Sequence, residues 1–280
     1  MDTELDAPAA RPLAWFRFYE ELNDFLAPAL RKRDVAYRCA RAATVKNAIE
    51  ALGVPHTEVE LILVNGASVG FSYLVREADR VSVYPKFESF DIRPLLRVRE
   101  APLRELRFVA DAHLGGLARL LRMLGFDTLY SNEISDEQIR DLACSEGRIV
   151  LTRDRELLKR REITHGCFVR ALKPRFQLRE IVQRLQLDSC FSDDCADSAP
   201  RTGSQLPVRG GYPRPFTLCL HCNWPLSPVD KETVIERLPE KVAARYQTFS
   251  TCTRCERVFW EGSHWERMRD LLAEHLPDPD

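Results

Sequence analysis

The chain has 280 residues, of which 45% are hydrophobic and 30% charged, and its formal net charge is −1. That length holds two domains or three small ones, and the near-neutral total excludes a chain that captures polyanions by bulk charge alone. No run of 18 apolar residues occurs, so no membrane span is expected. The stretch from Met1 to Pro12 lacks the basic start and apolar core of a signal peptide. Nine cysteines, four of them in two CxxC pairs, read as metal binding in a reducing compartment, with the cytoplasm as the expected location.

In chain order, Trp15 to Tyr19 and Ala36 to Cys39 read as strands. Thr44 then opens a helix with Val45, Ala48, Ile49 and Leu52 at helical spacing, which Gly53 ends. Leu61 to Val64 is a short apolar strand closed by the Asn65-Gly66 turn signal, and Val69 to Tyr73 and Arg80 to Tyr84 continue the strand pattern. This ββαβββ order over residues 14–94 predicts a ubiquitin-like β-grasp domain.

From 104 to 187 strands alternate with helices. Leu106 to Ala110, Asp127 to Tyr130, Arg148 to Thr152 and Cys167 to Leu172 are the predicted strands. His113 to Leu124, a helix capped at Ser135 and closed by Gly147, Arg155 to Arg161, and Gln177 to Leu187 are the predicted helices. A repeated βα rhythm implies an α/β fold with a mostly parallel sheet and helices on both faces. Residues 188–215 are rich in Ser, Asp, Pro and Gly and read as a flexible linker. Residues 216–276 hold the cysteine pairs.

Cys219 and Cys222 form one CxxC pair, and Cys252 and Cys255 a second. Two such knuckles offer four thiolates to one tetrahedral ion, and soft sulfur donors in that geometry suit Zn²⁺. A closed site of this kind is structural, and His221 inside the first knuckle is expected to be a bystander. Cys39, Cys144 and Cys167 lie in apolar stretches and are expected in the core.

Asp111 directly follows the first strand of the α/β segment, Asp154 follows the third, and Asp136 starts the helix after the second. In an open parallel sheet the residues just past the strand C-termini share one edge, where such folds bind ligands. Three carboxylates gathered there would repel one another without a cation, and Mg²⁺ or Mn²⁺ is the natural guest. Asp136 is equally readable as a helix N-terminal carboxylate favoured by the dipole, and Asp154 as the cap of the Arg155 helix. Between Arg148 and Arg184 eleven Lys/Arg face four Asp/Glu, enough to hold a nucleic-acid backbone or simply to form a solvated face. Arg119, Arg122 and Arg153 are the candidate phosphate contacts.

The strings FVADAHLGGLARLLRMLGF (108–126) and RIVLTRDRELL (148–158) strongly resemble the Mut-seven C-terminal RNase family, a PIN-like family often followed by a zinc ribbon. CLHCN (219–223), the pair Cys252/Cys255 and FWEGSH (259–264) resemble its ribbon. FRFYEELNDF (16–25) and LVNG (63–66) are similar to the ubiquitin-like domain fused to bacterial members. The resemblance implies a ribonuclease with Asp111, Asp136 and Asp154 as catalytic ligands of Mg²⁺ or Mn²⁺, a structural Zn²⁺, and RNA as substrate. The chain departs from the pattern at the fourth acidic position: Arg170 to Lys173 offers no carboxylate, which leaves Glu133 or Glu156 to substitute. The β-grasp segment also runs on without a terminal Gly-Gly, so a protein partner suits it better than conjugation. The competing expectation is a non-catalytic RNA-binding or adaptor protein that uses the ribbon and the β-grasp domain.

Overall fold

The computed structural model describes residues 11–85, 106–187, 214–263, 265–266 and 270. Strand β1 is Leu13–Phe18, with alternate side chains buried, and β2 is Val35–Arg38. Helix α1, Val45–Ala51, begins where the Thr44 side chain accepts from the Asn47 amide, and it buries Val45, Ala48 and Ile49. Strands β3 (Leu61–Val64) and β4 (Ala67–Ser68) follow, joined by Asn65 and Gly66 at φ 52° and 84°. Two successive left-handed residues are what a tight hairpin turn demands. Strand β5 is Arg80–Tyr84. The five strands form one sheet in the order β2-β1-β5-β3-β4, with β1 and β5 parallel and the other pairs antiparallel. The expected strand Val69 to Tyr73 is not one: β4 stops at Ser68, and the next sheet-like contact is an isolated bridge between Thr44 and Leu74.

In the α/β segment β6 is Phe108–Ala110, a 3-10 turn covers Ala112–Leu114, and α2 is Gly115–Met123. Strand β7 is Thr128–Leu129 and α3 is Asp136–Glu146. Helix α3 opens with the predicted reciprocal Ser135/Gln138 capping box and closes at Gly147, φ 65°. Strand β8 is Ile149–Thr152, α4 is Arg155–Leu158, β9 is Gly166–Phe168 and α5 is Pro174–Leu185. Strand β9 is shorter than the apolar pattern predicts. The amides of Arg170 and Ala171 bond to the Glu180 carboxylate (2.9–3.1 Å) instead of to a neighbouring strand. The sheet order is β7-β6-β8-β9, with β6 parallel to both β7 and β8.

The C-terminal part holds β10 (Leu226–Val229), α6 (Lys231–Val234), α7 (Glu240–Arg245), β11 (Phe249–Cys252) and β12 (Val258–Trp260). Its strands form an antiparallel sheet, β10-β11-β12. The linker expected at 188–215 lies outside the described residues up to 213, as do Cys190, Cys195 and most of the stretch beyond Trp265. Among the described residues no helix is long and apolar enough to cross a membrane.

By its contacts the chain divides into two compact units. One contains the five-stranded sheet together with Asp154–Phe168; the other contains Glu105–Arg153 and Val169 onward. The core of the first gathers Phe16, Phe18, Leu22, Phe25, Ile49, Ile62 and Val83, with Phe168 packed against it. In the second, Phe108, Leu117, Leu121, Val150, Leu178 and Ile181 are buried, and α2 packs on α5 while α3 packs on β6 and β8. Cys39 and Cys167 are buried as expected, but Cys144 is exposed on α3.

Candidate functional site

The two cysteine pairs are built alike. The Asn223 amide donates to the Cys219 carbonyl (3.0 Å), and the Glu256 amide to the Cys252 carbonyl (2.7 Å). The residue after each pair takes a left-handed φ, 60° at Asn223 and 58° at Glu256. The amides of Cys219 and Cys252 are in turn bonded to the Trp224 and Arg257 carbonyls (2.7 and 3.0 Å). Both turns therefore point two sulfurs to one side. The Cys219–Cys255 and Cys222–Cys252 Sγ separations are 3.6 and 3.3 Å, and all four sulfurs lie within 4.8 Å of one another. The four can hold one metal ion such as zinc. Burial and the neighbouring sulfurs push the Cys222 thiol up to about 12. At Cys255 burial works the same way, but donors from Arg257 outweigh it and bring the thiol down to about 6. His221 is exposed and takes no part in the cluster.

Arg122 sits behind the first knuckle. It is 2% exposed, and its guanidinium donates to the carbonyls of Thr128 (2.9 Å), Leu220 (3.0 Å) and His221 (2.9 Å). Burial pulls its pKa down, while Cys219, Cys222 and Asp127 work against that. The residue read as a phosphate contact is thus committed to the ribbon backbone, because a buried guanidinium must spend its donors on acceptors. Asn223 extends the network: its Oδ1 accepts from the Thr128 amide (3.0 Å), and its Nδ2 donates to Asp127. Asp127 is gripped in bidentate fashion by Arg148 (2.9 and 2.9 Å), which also binds Glu146 (2.8 Å). These contacts join the ribbon to the N-terminal ends of β7 and β8.

The acidic residues lie elsewhere. Asp111 follows β6, and its amide donates to the Leu151 carbonyl (3.0 Å). Its Oδ2 accepts from Oγ1 of Thr152 (2.7 Å), a fully buried residue ending β8. Because β6, β7 and β8 are parallel, this pair marks the C-terminal edge of the sheet. Two glycines bring other elements close to it. A Cβ on Gly115 would lie 2.4 Å from the Tyr130 hydroxyl, and one on Gly116 would lie 2.5 Å from Cγ of Pro174. The Tyr130 hydroxyl itself donates to the carbonyl of Ala112 (3.0 Å), the residue after Asp111.

Asp136 is the first residue of α3 and is half-buried. Asp154 is exposed, caps α4 and accepts from the Glu156 amide (2.8 Å). Among the described residues the four cysteines form the one group of three or more His, Cys, Asp or Glu with donor atoms in mutual range of a metal. The three aspartates are not brought together in that way. Of the candidate fourth acids, Glu156 pairs with Lys159 (2.8 Å), and Glu133 is exposed beside a groove between β7, α3 and the ribbon. Sequence reading passed over Glu180, a half-buried carboxylate on α5 that reaches back to the loop after β9. Its signal was weak, since eight residues lie between it and Ala171, the nearest loop residue whose amide it binds.

The basic stretch is largely spent on structure. Arg148 is paired with Asp127 and Glu146, Arg153 donates to the Ala171 carbonyl (2.8 Å), and Arg170 and Arg184 face Glu180. Lys173, Arg175 and Arg179 remain exposed at the start of α5. Phe176 stands between the last two, with its ring 4.5 and 5.3 Å from their guanidinium carbons. Arg119 is exposed on α2. Together with Arg257 and Arg122 it pulls the His221 pKa down, after burial, the largest cause.

The fold and these two sites define a PIN-like α/β domain with a four-cysteine ribbon, set behind a ubiquitin-like domain. The chain belongs to the family of the Mut7-C RNAse domain, whose model matches residues 106–199 and 202–272; the Mut7-C ubiquitin model matches residues 11–91. The ribbon therefore lies within the same family match as the α/β segment. A human protein, "Exonuclease mut-7 homolog", is 26% identical over 240 residues, covering 64% of this chain and 27% of that protein. The chain thus spans about a quarter of the length of the curated relative it matches. No solved structure is significantly similar.

Proposed function

We propose that this chain is a metal-dependent ribonuclease whose acidic site lies at the C-terminal edge of the parallel sheet. The observation that carries this reading is Asp111: a carboxylate ending a buried strand, oriented by the Thr152 hydroxyl, inside a segment matched by an RNAse-domain model. Asp136 and Asp154 complete the proposed donor set. All three offer hard oxygen donors, which suit Mg²⁺ or Mn²⁺. A divalent ion held there would supply Lewis acidity toward a phosphodiester. The chain's own residues do the rest: Thr152 fixes the Asp111 carboxylate, and exposed Arg119, Lys173, Arg175 and Arg179 draw the RNA backbone in. Phe176 offers a face on which a base can stack. Arg122 and Arg153 are not assigned to RNA in this scheme.

The ribbon ion is proposed to be a structural Zn²⁺. Tetrahedral Zn–S bonds of ~2.3 Å imply S–S separations of roughly 3.8 Å, and the observed 3.3 and 3.6 Å need only a slight opening to reach that.

One observation favours a second reading, a non-catalytic RNA-binding or adaptor protein: the Asp154 carboxylate is already used as a helix cap. The deciding experiment is cleavage of a mixed, labelled RNA pool by zinc-loaded protein with Mn²⁺ or Mg²⁺, beside EDTA and Asp111→Asn. Metal-dependent cutting that the variant loses by at least ~100-fold supports the nuclease, since it removes a direct ligand. Cutting unchanged in Asp111→Asn would refute the assigned site. Retained RNA binding without any cutting would favour the adaptor.

A further inference from the structure

The groove between β7, α3 and the ribbon has a volume of about 780 Å³, inside the range of roughly 300–1,000 Å³ common for ligand sites. Gln138, Asp141, Leu142 and Ser145 line one side of it. They fall at i, i+3, i+4 and i+7 of α3, so a single helix face forms this wall over roughly 10 Å. Leu129, Tyr130 and Ile134 add apolar surface, and His221 and Arg254 line the ribbon side.

The two ends of the groove differ. Tyr130 follows β7 as Asp111 follows β6, and the two strands are parallel. This end therefore opens at the C-terminal edge of the sheet, where the Tyr130 hydroxyl reaches the carbonyl beside Asp111. At the ribbon end, Arg254 lies over the Trp224 ring, 5.9 Å from its centroid. Trp224 is 47% exposed, a large aromatic side chain left open at the surface. Its indole Nε1 donates to Oγ1 of Thr253 (3.0 Å), which fixes the ring.

The charges are sided as well. Arg119 of α2 and Arg257 both lie close enough to act on His221, but Arg257 is spent on Cys255, to which its side chain donates. Arg119 and Arg254 are exposed, and among the described residues neither is paired with a carboxylate. On the opposite side the groove meets Glu133 and Asp141, both exposed. Cations along one wall and acceptors along the other match a strand that turns its phosphates one way and its base edges the other. Guanidinium groups pair with phosphate, exocyclic amino groups of bases donate to carboxylate and amide oxygens, and base faces stack on aromatic rings. A duplex has those base edges already paired. An acidic peptide would be repelled by Glu133 and Asp141.

We propose that this groove, with Trp224 at its ribbon end, is a binding site for an unpaired RNA strand running from the sheet edge to the knuckles. The path rests on the nuclease reading, which puts cutting at Asp111. Arg119 and Arg254 hold phosphates, and Trp224 stacks a base remote from the cut.

The test uses the zinc-loaded full chain carrying Asp111→Asn, without Mg²⁺ or Mn²⁺, so that binding is read apart from cutting. A fluorescent, unstructured RNA oligonucleotide and its duplex are titrated by anisotropy over a range of salt. The single strand is expected to bind at least ~tenfold tighter than the duplex, and Trp224→Ala to weaken it about tenfold at an unchanged salt slope, the size of one lost base stack. Trp224→Phe keeps a stacking face and should stay within about threefold of the parent. Arg254→Gln should weaken binding and make the slope of log K against log salt shallower by about 0.7, one phosphate contact. Zinc content at the parent value shows that a variant keeps its ribbon folded. If Trp224→Ala loses zinc, Arg254→Gln and Arg119→Gln carry the slope expectation. Parent affinity and slope in these variants overturn the site and leave the face to a protein partner. Equal affinity for the duplex overturns the unpaired strand. With Asp111 restored and Mn²⁺ added, the two readings separate: weakened binding in the variants beside a chain that cuts no RNA keeps the site and loses the nuclease. Undiminished cutting of dilute RNA by Trp224→Ala and Arg254→Gln keeps the nuclease and overturns the site.

Discussion

Arg122→Met removes the donors of a buried guanidinium while keeping much of its volume. Three carbonyls, those of Thr128, Leu220 and His221, lose their partner. A buried carbonyl left unbonded costs about 1–3 kcal/mol, and since Leu220 and His221 lie toward the surface we take the low end, about 3 kcal/mol for the set. Relieving the buried charge returns roughly 1 kcal/mol. The net loss is then about 2 kcal/mol, or a urea midpoint lower by about 1 M at an ordinary slope.

The assay is urea unfolding of the zinc-loaded chain, followed by tryptophan fluorescence and by zinc release to a chromogenic chelator. Zinc should leave at lower urea in the variant, together with loss of the α/β core signal. The contacts of Arg122 and Asn223 join the first knuckle to α2 and β7 in one network. A variant within about 0.5 kcal/mol of wild type, inside the range of a neutral surface change, would refute the claim that Arg122 docks the ribbon. So would unchanged core unfolding after zinc is stripped.

Two further outcomes follow from the packing. Asp127 is pushed upward by burial, but Arg148, Asn223 and Arg107 outweigh this and hold its carboxyl below the usual carboxylate range. A depressed folded-state pKa stabilises above the unfolded value and is lost as pH falls through the lowered one. Asp127→Asn should therefore flatten the loss of stability below about pH 4, the unfolded aspartate range, as read by thermal melting across pH. An acid limb identical to wild type would show that Asp127 does not contribute to it. Gly115→Ala places a methyl 2.4 Å from the Tyr130 hydroxyl. It should cost about 1–3 kcal/mol by overpacking, and Tyr130→Phe should relieve part of that in a double-mutant cycle; strictly additive losses would mean the two do not meet.

Much of this protein is legible without coordinates because the relevant forces act locally. The paired cysteines with two residues between them form knuckles from their own backbone bonds. The Ser135/Gln138 box and Gly147 bound α3 as their capping chemistry requires, and Asn65-Gly66 turns as two left-handed residues must. Asp111 ends its strand where the βα rhythm places it.

What the tertiary structure alone decided is the role of each polar residue that gains its partner across a long stretch of chain. Arg122 looks like any helix-surface arginine until Leu220 and His221, about a hundred positions on, offer their carbonyls. Glu58 and His56 look like solvated loop residues until Phe168 and Ile163 cover them. Beyond Val169, whose amide still bonds the Thr152 carbonyl, the chain leaves the strand pattern as Glu180 takes the amides of Arg170 and Ala171. Periodicity and spacing report which face of an element is apolar, but a polar group's function depends on what lies opposite it. Only packing brings those groups together.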